Sequence, residues 1–368
     1  MKIKDVKIQI IERNYNLGNN ANLSFGELSF LDKLGIVPIL TIITDTGIQG
    51  NSFGFSGKKV APYLDFLKPL LLGKNPLFRE ELWQKLRAEI RHGFIPSMVQ
   101  GMIDVALWDI AGKAAGMPIY KMLGAYREKV RVYSSLPVIP TPEDTVKAVI
   151  IYKNMGITAS KLHVPGIADT DIEICKAVRK AVGDKYTLML DPAGAYNHDE
   201  ALKVGREIEK LNFEWYEEPI SDMDITGLTQ LCRDLDIPIA YQSYHPNNFY
   251  TMAHRIKNEA IDIIRADALF GDGISALKKT ATLAEAFGMR CEMLTQFDPI
   301  MNSASLNVMC SVKNCKFFEY LTINHVLDYG VKQPLLIDKE GYIHVPKGPG
   351  LGMEIDWDFI NKNTILSL

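Results

Sequence analysis

The stretch FEWYEEP, residues 213–219, decides the fold of this chain. An apolar, aromatic-rich run ends in two adjacent carboxylates, Glu217 and Glu218, and a proline stops it. Successive side chains of a strand point to opposite faces, so only one of the two acids can face a given side. A buried strand with this ending predicts that one acid points at a group that requires an anion.

Seven other short apolar runs alternate with amphipathic helical patterns along the chain. Near-continuous apolar strands that alternate with helices are typical of a parallel sheet, and eight such units indicate a (β/α)8 barrel. Residues at or near the ends of successive runs recur at intervals of 24 to 30 residues, so they should meet at the carboxyl-end mouth, where barrel enzymes place their chemistry. These residues are Lys161, Asp191, Glu217, Ser243, Asp267, Leu294 and Glu319.

The pattern divides the chain into three parts. Residues 1–125 combine alternating strand patterns with two helical stretches and predict an α+β capping domain. Residues 126–325 carry the barrel pattern, and residues 326–368 form a turn-rich segment that we expect to pack back on the first domain.

Composition excludes several function classes. The formal net charge of −3 gives no basic surface for nucleic acid. The sequence has no run of 18 or more apolar residues, so no membrane span is expected. The first ten residues have a strand pattern and no signal-peptide core. The five cysteines are odd in number and form no C-x-x-C pair, so we expect reduced thiols in a cytoplasmic protein.

The acids of consecutive strand ends predict a metal site. Asp191 and Glu217 would repel each other unless a proton or a cation lies between them, and Mg²⁺ is a hard, oxygen-seeking cation. Lys161 and His163 stand two apart on one strand and should face the same side. A metal held by acids beside a lysine base suits abstraction of the proton α to a carboxylate. The alternatives are acids that cap helices and a surface lysine beside a hydrogen-bonded histidine.

The chain resembles the enolase superfamily, mandelate racemase-like subgroup, over nearly its full length. The resemblance is carried by GMIDVALWDIAGKAAGMPIYKMLGA, SKLHVPG, LMLDPAGAY, WYEEP and IIRADALFGDGI. It implies an α+β capping domain over a modified (β/α)7β barrel that binds Mg²⁺ and acts on a small carboxylate such as an acid sugar or hydroxy acid. Members of this family are often dimers or octamers, so we expect a homo-oligomer.

The resemblance also implies a metal-ligand set with one departure. Asp191 corresponds to the ligand on the third barrel strand and Glu217 to the ligand on the fourth, whereas Glu218 turns outward as a structural acid. Ser243 stands where the third ligand is an acid in the family. A hydroxyl is a poor substitute for a carboxylate, so the Mg²⁺ site should be weakened unless Gln242 or a water held by Ser243 completes it.

Catalytic roles carry over in the same way. Lys161 corresponds to the base, His163 to the second position of a K-x-K or K-x-H motif, and Asp267 to an acid that orients a catalytic histidine. Leu294 stands in the place of that histidine. Glu319 corresponds to a glutamate that hydrogen-bonds the substrate carboxylate.

These departures favour dehydration of an aldonate or aldarate over racemisation. Without a second base the two-base route to inversion is lost, whereas a one-sided elimination needs only Lys161 to take the α-proton. His163, Tyr244 or His245 would protonate the leaving hydroxyl, and we expect Tyr244 and His245 to contact the substrate. A racemase, epimerase or cycloisomerase, and a barrel that has lost its chemistry, are the alternatives.

Two loops add smaller predictions. The stretch GDGISA, residues 271–276, should form a tight turn whose backbone N–H groups can meet an anion. The stretch SFGELSF, residues 24–30, stands where the family has a mobile loop that closes over substrate.

Overall fold

The computed structural model describes residues 1–13, 35–55, 60–242, 248–322 and 327–368. A four-stranded antiparallel sheet contains β1 (Ile3–Glu12), β2 (Ile36–Thr44), β3 (Gln49–Phe53) and β13 (Thr364–Ser367), in the order β13–β1–β2–β3. The last strand thus returns the carboxyl terminus to the first sheet. In the described residues no helix is long and apolar enough to cross a membrane.

Eight parallel strands form the predicted barrel, which is nearly closed. All eight apolar runs of the sequence form strands, and they pair in the order β10–β9–β8–β7–β6–β5–β4–β11. These strands are β4 (Lys129–Ser135), β5 (Ala159–His163), β6 (Thr187–Asp191), β7 (Trp215–Glu217), β8 (Ile239–Tyr241), β9 (Ile263–Ala266), β10 (Arg290–Met293) and β11 (Phe317–Leu321). A short strand, β12 (Tyr342–His344), pairs antiparallel with β4.

One helix lies between each consecutive pair of barrel strands, which confirms the modified (β/α)7β form over the described residues. The capping region contributes α1 (Leu64–Leu71), α2 (Arg79–Arg91), α3 (Ser97–Ala115) and α4 (Ile119–Met122). The barrel helices are α5 (Pro142–Asn154), α6 (Ala168–Val182), α7 (His198–Lys210), α8 (Ile225–Asp234), α9 (Phe249–Lys257), α10 (Gly273–Ala286) and α11 (Pro299–Met309). The carboxyl-terminal segment adds α12 (Trp357–Asn363).

The barrel interior below the mouth is filled by packed side chains. Rings dominate this layer, and three of them meet edge to face with centroids 5.7 to 6.1 Å apart. A filled interior gives the side chains at the strand ends no space to move down the barrel axis. The layer consists of Tyr133, Ala159, Met189, Trp215, Ala240, Ile263 and Phe317.

Helix α3 joins the cap to the barrel. One face of it packs on the segment after β9, where Asp104 accepts hydrogen bonds from the backbone N–H and the hydroxyl of Ser275 at 2.9 and 2.6 Å. Trp108, one turn further along, donates to the same hydroxyl at 2.9 Å. The Ser275 backbone N–H of the stretch GDGISA is therefore occupied by a carboxyl group of the cap and is not free for an anion at the barrel mouth.

Candidate active site at the carboxyl ends of the barrel strands

Five of the six strand-end residues within the described chain line one cavity, and the sixth, Asp267, is not among its lining residues. A cavity of about 210 Å³ opens at the carboxyl ends of the strands. Lys161 and His163, which stand two apart on β5, both line the cavity, as their spacing predicts. Leu294 also forms part of the cavity wall. The residues that line it include Lys161, His163, Asp191, Glu217, Gln242, Leu294 and Glu319.

Lys161 is the centre of this cluster. Its ammonium lies 2.9 Å from Asp191 Oδ2, 3.1 Å from Glu217 Oε1 and 3.0 Å from Glu319 Oε1, and its side chain is 2% exposed. Burial alone would lower the pKa of the amine, but the three carboxylates outweigh it and hold that pKa well above the usual value. An ammonium carries three N–H donors, so each donor has a carboxylate partner.

Arg265 is a second buried cation, which the sequence reasoning missed. It stands on β9 with 0% exposure, and it donates from Nε to Glu217 Oε1 at 2.9 Å and from Nη2 to Glu319 Oε2 at 3.0 Å. Nη2 also donates to the Tyr133 hydroxyl at 2.9 Å. The available signal is an arginine inside the apolar run DIIRAD, because an unpaired guanidinium is almost never buried.

The carboxylates respond to these cations. Burial would raise the pKa of Glu319, but Lys161 and Arg265 lower it to about 2. Burial would also raise the pKa of Asp191, but the charges of Lys161 and His163 hold that pKa well below its usual range. Both groups are therefore ionised at neutral pH.

His163 is the most open of the ionisable groups that contact this cluster. Its side chain is 21% exposed, whereas Asp191 is 6% exposed and Lys161 is 2% exposed. Its Nδ1 lies 2.6 Å from the Leu136 carbonyl oxygen and its Nε2 lies 3.0 Å from Asp191 Oδ2. Because both ring nitrogens face acceptors, both donate, and the ring is an imidazolium in this arrangement. Burial lowers the pKa of His163, but the Asp191 carboxylate and the hydrogen bond to the Leu136 carbonyl together raise it above its usual value.

The two acids predicted to hold a metal have their oxygens occupied by protein donors. Asp191 Oδ1 accepts from the Ala193 backbone N–H at 2.9 Å, while its Oδ2 faces Lys161 and His163. Glu217 Oε2 accepts from the Trp215 indole N–H at 3.0 Å, while its Oε1 is shared by two cations. In the part of the chain that the structure describes, no group of three His, Cys, Asp or Glu residues could hold a metal ion. This arrangement does not fit a Mg²⁺ ion between the two acids.

Three predicted site residues, Ser243, Tyr244 and His245, lie outside the described residues. Their neighbour Gln242 is described, and its amide donates to Asp267 Oδ2 at 3.0 Å. Asp267 Oδ1 accepts from two backbone N–H groups of the following turn, each at 2.7 Å. Asp267 therefore orders this turn and orients the Gln242 amide beside the cavity.

Glu218 does not share the strand geometry of its neighbour. Its backbone is left-handed, with φ of 44°, so β7 ends at Glu217. Glu218 is 5% exposed, and burial, followed by the charges of Asp191 and Glu217, raises its pKa well above the usual value. The two acids of EEP thus have different environments.

Two family models match this chain. Residues 32–124 match the mandelate racemase/muconate lactonizing enzyme N-terminal domain, and residues 144–359 match the enolase C-terminal domain-like family. Similar proteins include arabinonate dehydratase of Saccharolobus solfataricus, 32% identical over 78% of this chain and 79% of that protein. L-talarate/galactarate dehydratase of Salmonella typhimurium is 33% identical over 74% of this chain and 70% of that protein.

Solved structures agree with this relationship. D-glucarate dehydratase from Agrobacterium tumefaciens, complexed with magnesium, superposes with a TM-score of 0.88 at 30% identity and full coverage of both chains. The 3,6-anhydro-D-galactonate cycloisomerase from Zobellia galactanivorans superposes with a TM-score of 0.85 at 26% identity, again over both full chains. Dehydratases and a cycloisomerase therefore share this architecture.

Proposed function

Because this chain belongs to the mandelate racemase/muconate lactonizing enzyme family, we propose that its barrel mouth dehydrates a small sugar acid to a 2-keto-3-deoxy acid. The similar proteins named as dehydratases of arabinonate, galactarate and mannonate support this reaction class. In the reaction the bond between Cα and hydrogen breaks, and the β-hydroxyl leaves with a proton as water. The resulting enol then tautomerises to the keto acid.

The observation that supports this proposal is the exposure of the His163 side chain to the cavity. A group that transfers protons must reach the substrate, and the His163 side chain is the most exposed of the ionisable groups in the cluster. Once Nε2 releases its proton and its contact with Asp191 Oδ2, the neutral ring can accept the α-proton there, and it then returns a proton to the hydroxyl that leaves from the same face. The Leu136 carbonyl oxygen, 2.6 Å from Nδ1, holds the ring in position while Nε2 reacts.

Leu294 supports a one-sided reaction. An alkyl side chain at this wall of the cavity neither takes nor delivers a proton, so inversion by two opposed bases has no second partner there. The assignment of Lys161 as the α-proton acceptor stays a prediction. Its three carboxylate contacts oppose that role, because they hold the proton on the amine.

A screen with two variants tests the proposal. Purified protein would be incubated with a panel of aldonates and aldarates, and keto-acid formation and deuterium exchange at Cα would be measured. We expect His163→Gln to lose both by at least about 100-fold. The exposed His254 on α9 provides the matched control, since His254→Gln should keep both activities.

The outcome also separates the competing roles. If His163→Gln still exchanges the α-proton and Lys161→Met does not, Lys161 is the base and our assignment is wrong. If neither the wild type nor its variants convert any acid in the panel, with or without added metal ions, dehydration is refuted.

A second candidate is a barrel that binds a ligand without turnover. The observation that favours it is the complete pairing of the Lys161 donors and of the oxygens of Asp191 and Glu217. Binding of an acid sugar measured by calorimetry, without exchange or keto-acid formation, would select this candidate. Exchange without a keto product would instead select an isomerase.

A further inference from the structure

The position between the strand-end acids is already filled by a cation of the protein. The Lys161 ammonium has three carboxylate oxygens within 2.9 to 3.1 Å, one each from Asp191, Glu217 and Glu319. Carboxylates brought this close repel one another unless a positive charge lies between them. In this chain a side chain provides that charge.

Arg265 provides the second charge to two of these three acids. Its guanidinium bridges Glu217 and Glu319 at 2.9 and 3.0 Å, and it is fully buried. Lys161 and Arg265 together bring two positive charges, which is the charge of one divalent cation. They also supply directional N–H donors to oxygens that a metal would otherwise use.

We propose that Lys161 and Arg265 replace the divalent cation as the counter-charge of this mouth, so that the protein does not bind Mg²⁺ between Asp191 and Glu217. The inference concerns ion binding alone and holds whether or not the chain dehydrates a sugar acid.

The surroundings make displacement of the ammonium costly. A Mg²⁺ ion requires oxygen ligands at about 2.0 to 2.1 Å in near-octahedral geometry, so it would have to separate the amine from all three acids. The layer beneath the mouth, which includes Met189 and Trp215, is packed and leaves no space for the lysine head group. The displaced ammonium would lose three charge-assisted hydrogen bonds in a buried site.

The test is direct titration of the EDTA-treated protein with Mn²⁺, followed by electron paramagnetic resonance of the free ion. Mg²⁺ would be followed by the shift in melting temperature. We expect the wild type to show no stoichiometric Mn²⁺ binding at millimolar concentration and no Mg²⁺-dependent melting shift. We expect Lys161→Met to free the carboxylate oxygens and to gain at least tenfold in Mn²⁺ affinity.

The control is Lys278→Met on α10, at a site away from the mouth. The Lys278 amine donates to the Ser311 carbonyl oxygen at 2.9 Å. It should bind Mn²⁺ as the wild type does. A wild type that binds one Mn²⁺ per chain, and loses it in Asp191→Asn, would overturn the proposal, and this result needs no folded Lys161 variant. A folded Lys161→Met protein without any gain would show that the lysine is not what excludes the metal.

Discussion

Replacing Arg265 with methionine should destabilise the fold more than most single substitutions. The side chain is 0% exposed and neutralises two carboxylates, Glu217 and Glu319, that are themselves 2% and 3% exposed. Removing one partner of a buried ion pair costs about 3 to 5 kcal/mol, because the other charge stays buried without compensation. The lost bond to the Tyr133 hydroxyl adds about 1 kcal/mol. We therefore expect Arg265→Met to lower the free energy of unfolding by about 4 kcal/mol or more.

Urea denaturation in EDTA-containing buffer, followed by tryptophan fluorescence, measures this loss as a lower midpoint. The control is Arg233→Met, which breaks an exposed pair with Glu259 and should cost less than about 1 kcal/mol. Adding Glu217→Gln to Arg265→Met removes one uncompensated charge. The double variant should therefore be more stable than the sum of the two single losses predicts, by about 1 to 3 kcal/mol. Additive losses, or an Arg265→Met protein within 1 kcal/mol of the wild type, would refute the charge-balanced cluster.

Two further substitutions test the contact between cap and barrel. Burial raises the pKa of Asp104 to about 6, so the folded state keeps a proton that the unfolded state releases, and stability falls as pH rises from about 4 to 6. The stability lost across this pH range is about 3 kcal/mol, and Asp104→Asn should abolish the loss in denaturation experiments at pH 4 to 6. The control Asp199→Asn changes a fully exposed side chain and should leave the pH dependence unchanged. Gly101→Ala would bring a methyl group to 2.2 Å from the Leu269 carbonyl oxygen, so we expect a melting temperature several degrees lower. In Gly116→Ala the added methyl group has no atom within 4 Å, so this control should lose stability only through its left-handed backbone strain. An equal fall in melting temperature at both positions would contradict the steric explanation.

The eight-stranded barrel was predictable because each strand leaves its own signature in the sequence. The runs that form β4 to β11 are largely apolar because both faces of a parallel sheet are covered. The end of α3 also follows from the local sequence, because Gly116 takes the left-handed conformation that terminates the helix and Pro118 follows. Such features depend on local sequence alone.

The contacts within the site were less predictable. The spacing brings Lys161, Asp191, Glu217 and Glu319 to one mouth, but it does not tell which oxygen a long side chain reaches. Whether the lysine lies between the acids or beside them depends on the depth of each residue in the barrel and on the packing beneath. The role of Arg265 depends on three other strands at once, so no local pattern contains it.

Helix α3 has consequences for any attempt to recombine this protein with its relatives. Its residues contact β3 on one side, where a Cβ at Gly50 would meet the Ala106 carbonyl oxygen at 2.0 Å, and the segment after β9 on the other. A chimera that joins a foreign cap to this barrel must therefore carry α3 and residues 268–275 from the same parent. Otherwise the transplanted helix brings the Asp104 carboxyl group without the Ser275 N–H and hydroxyl that donate to it.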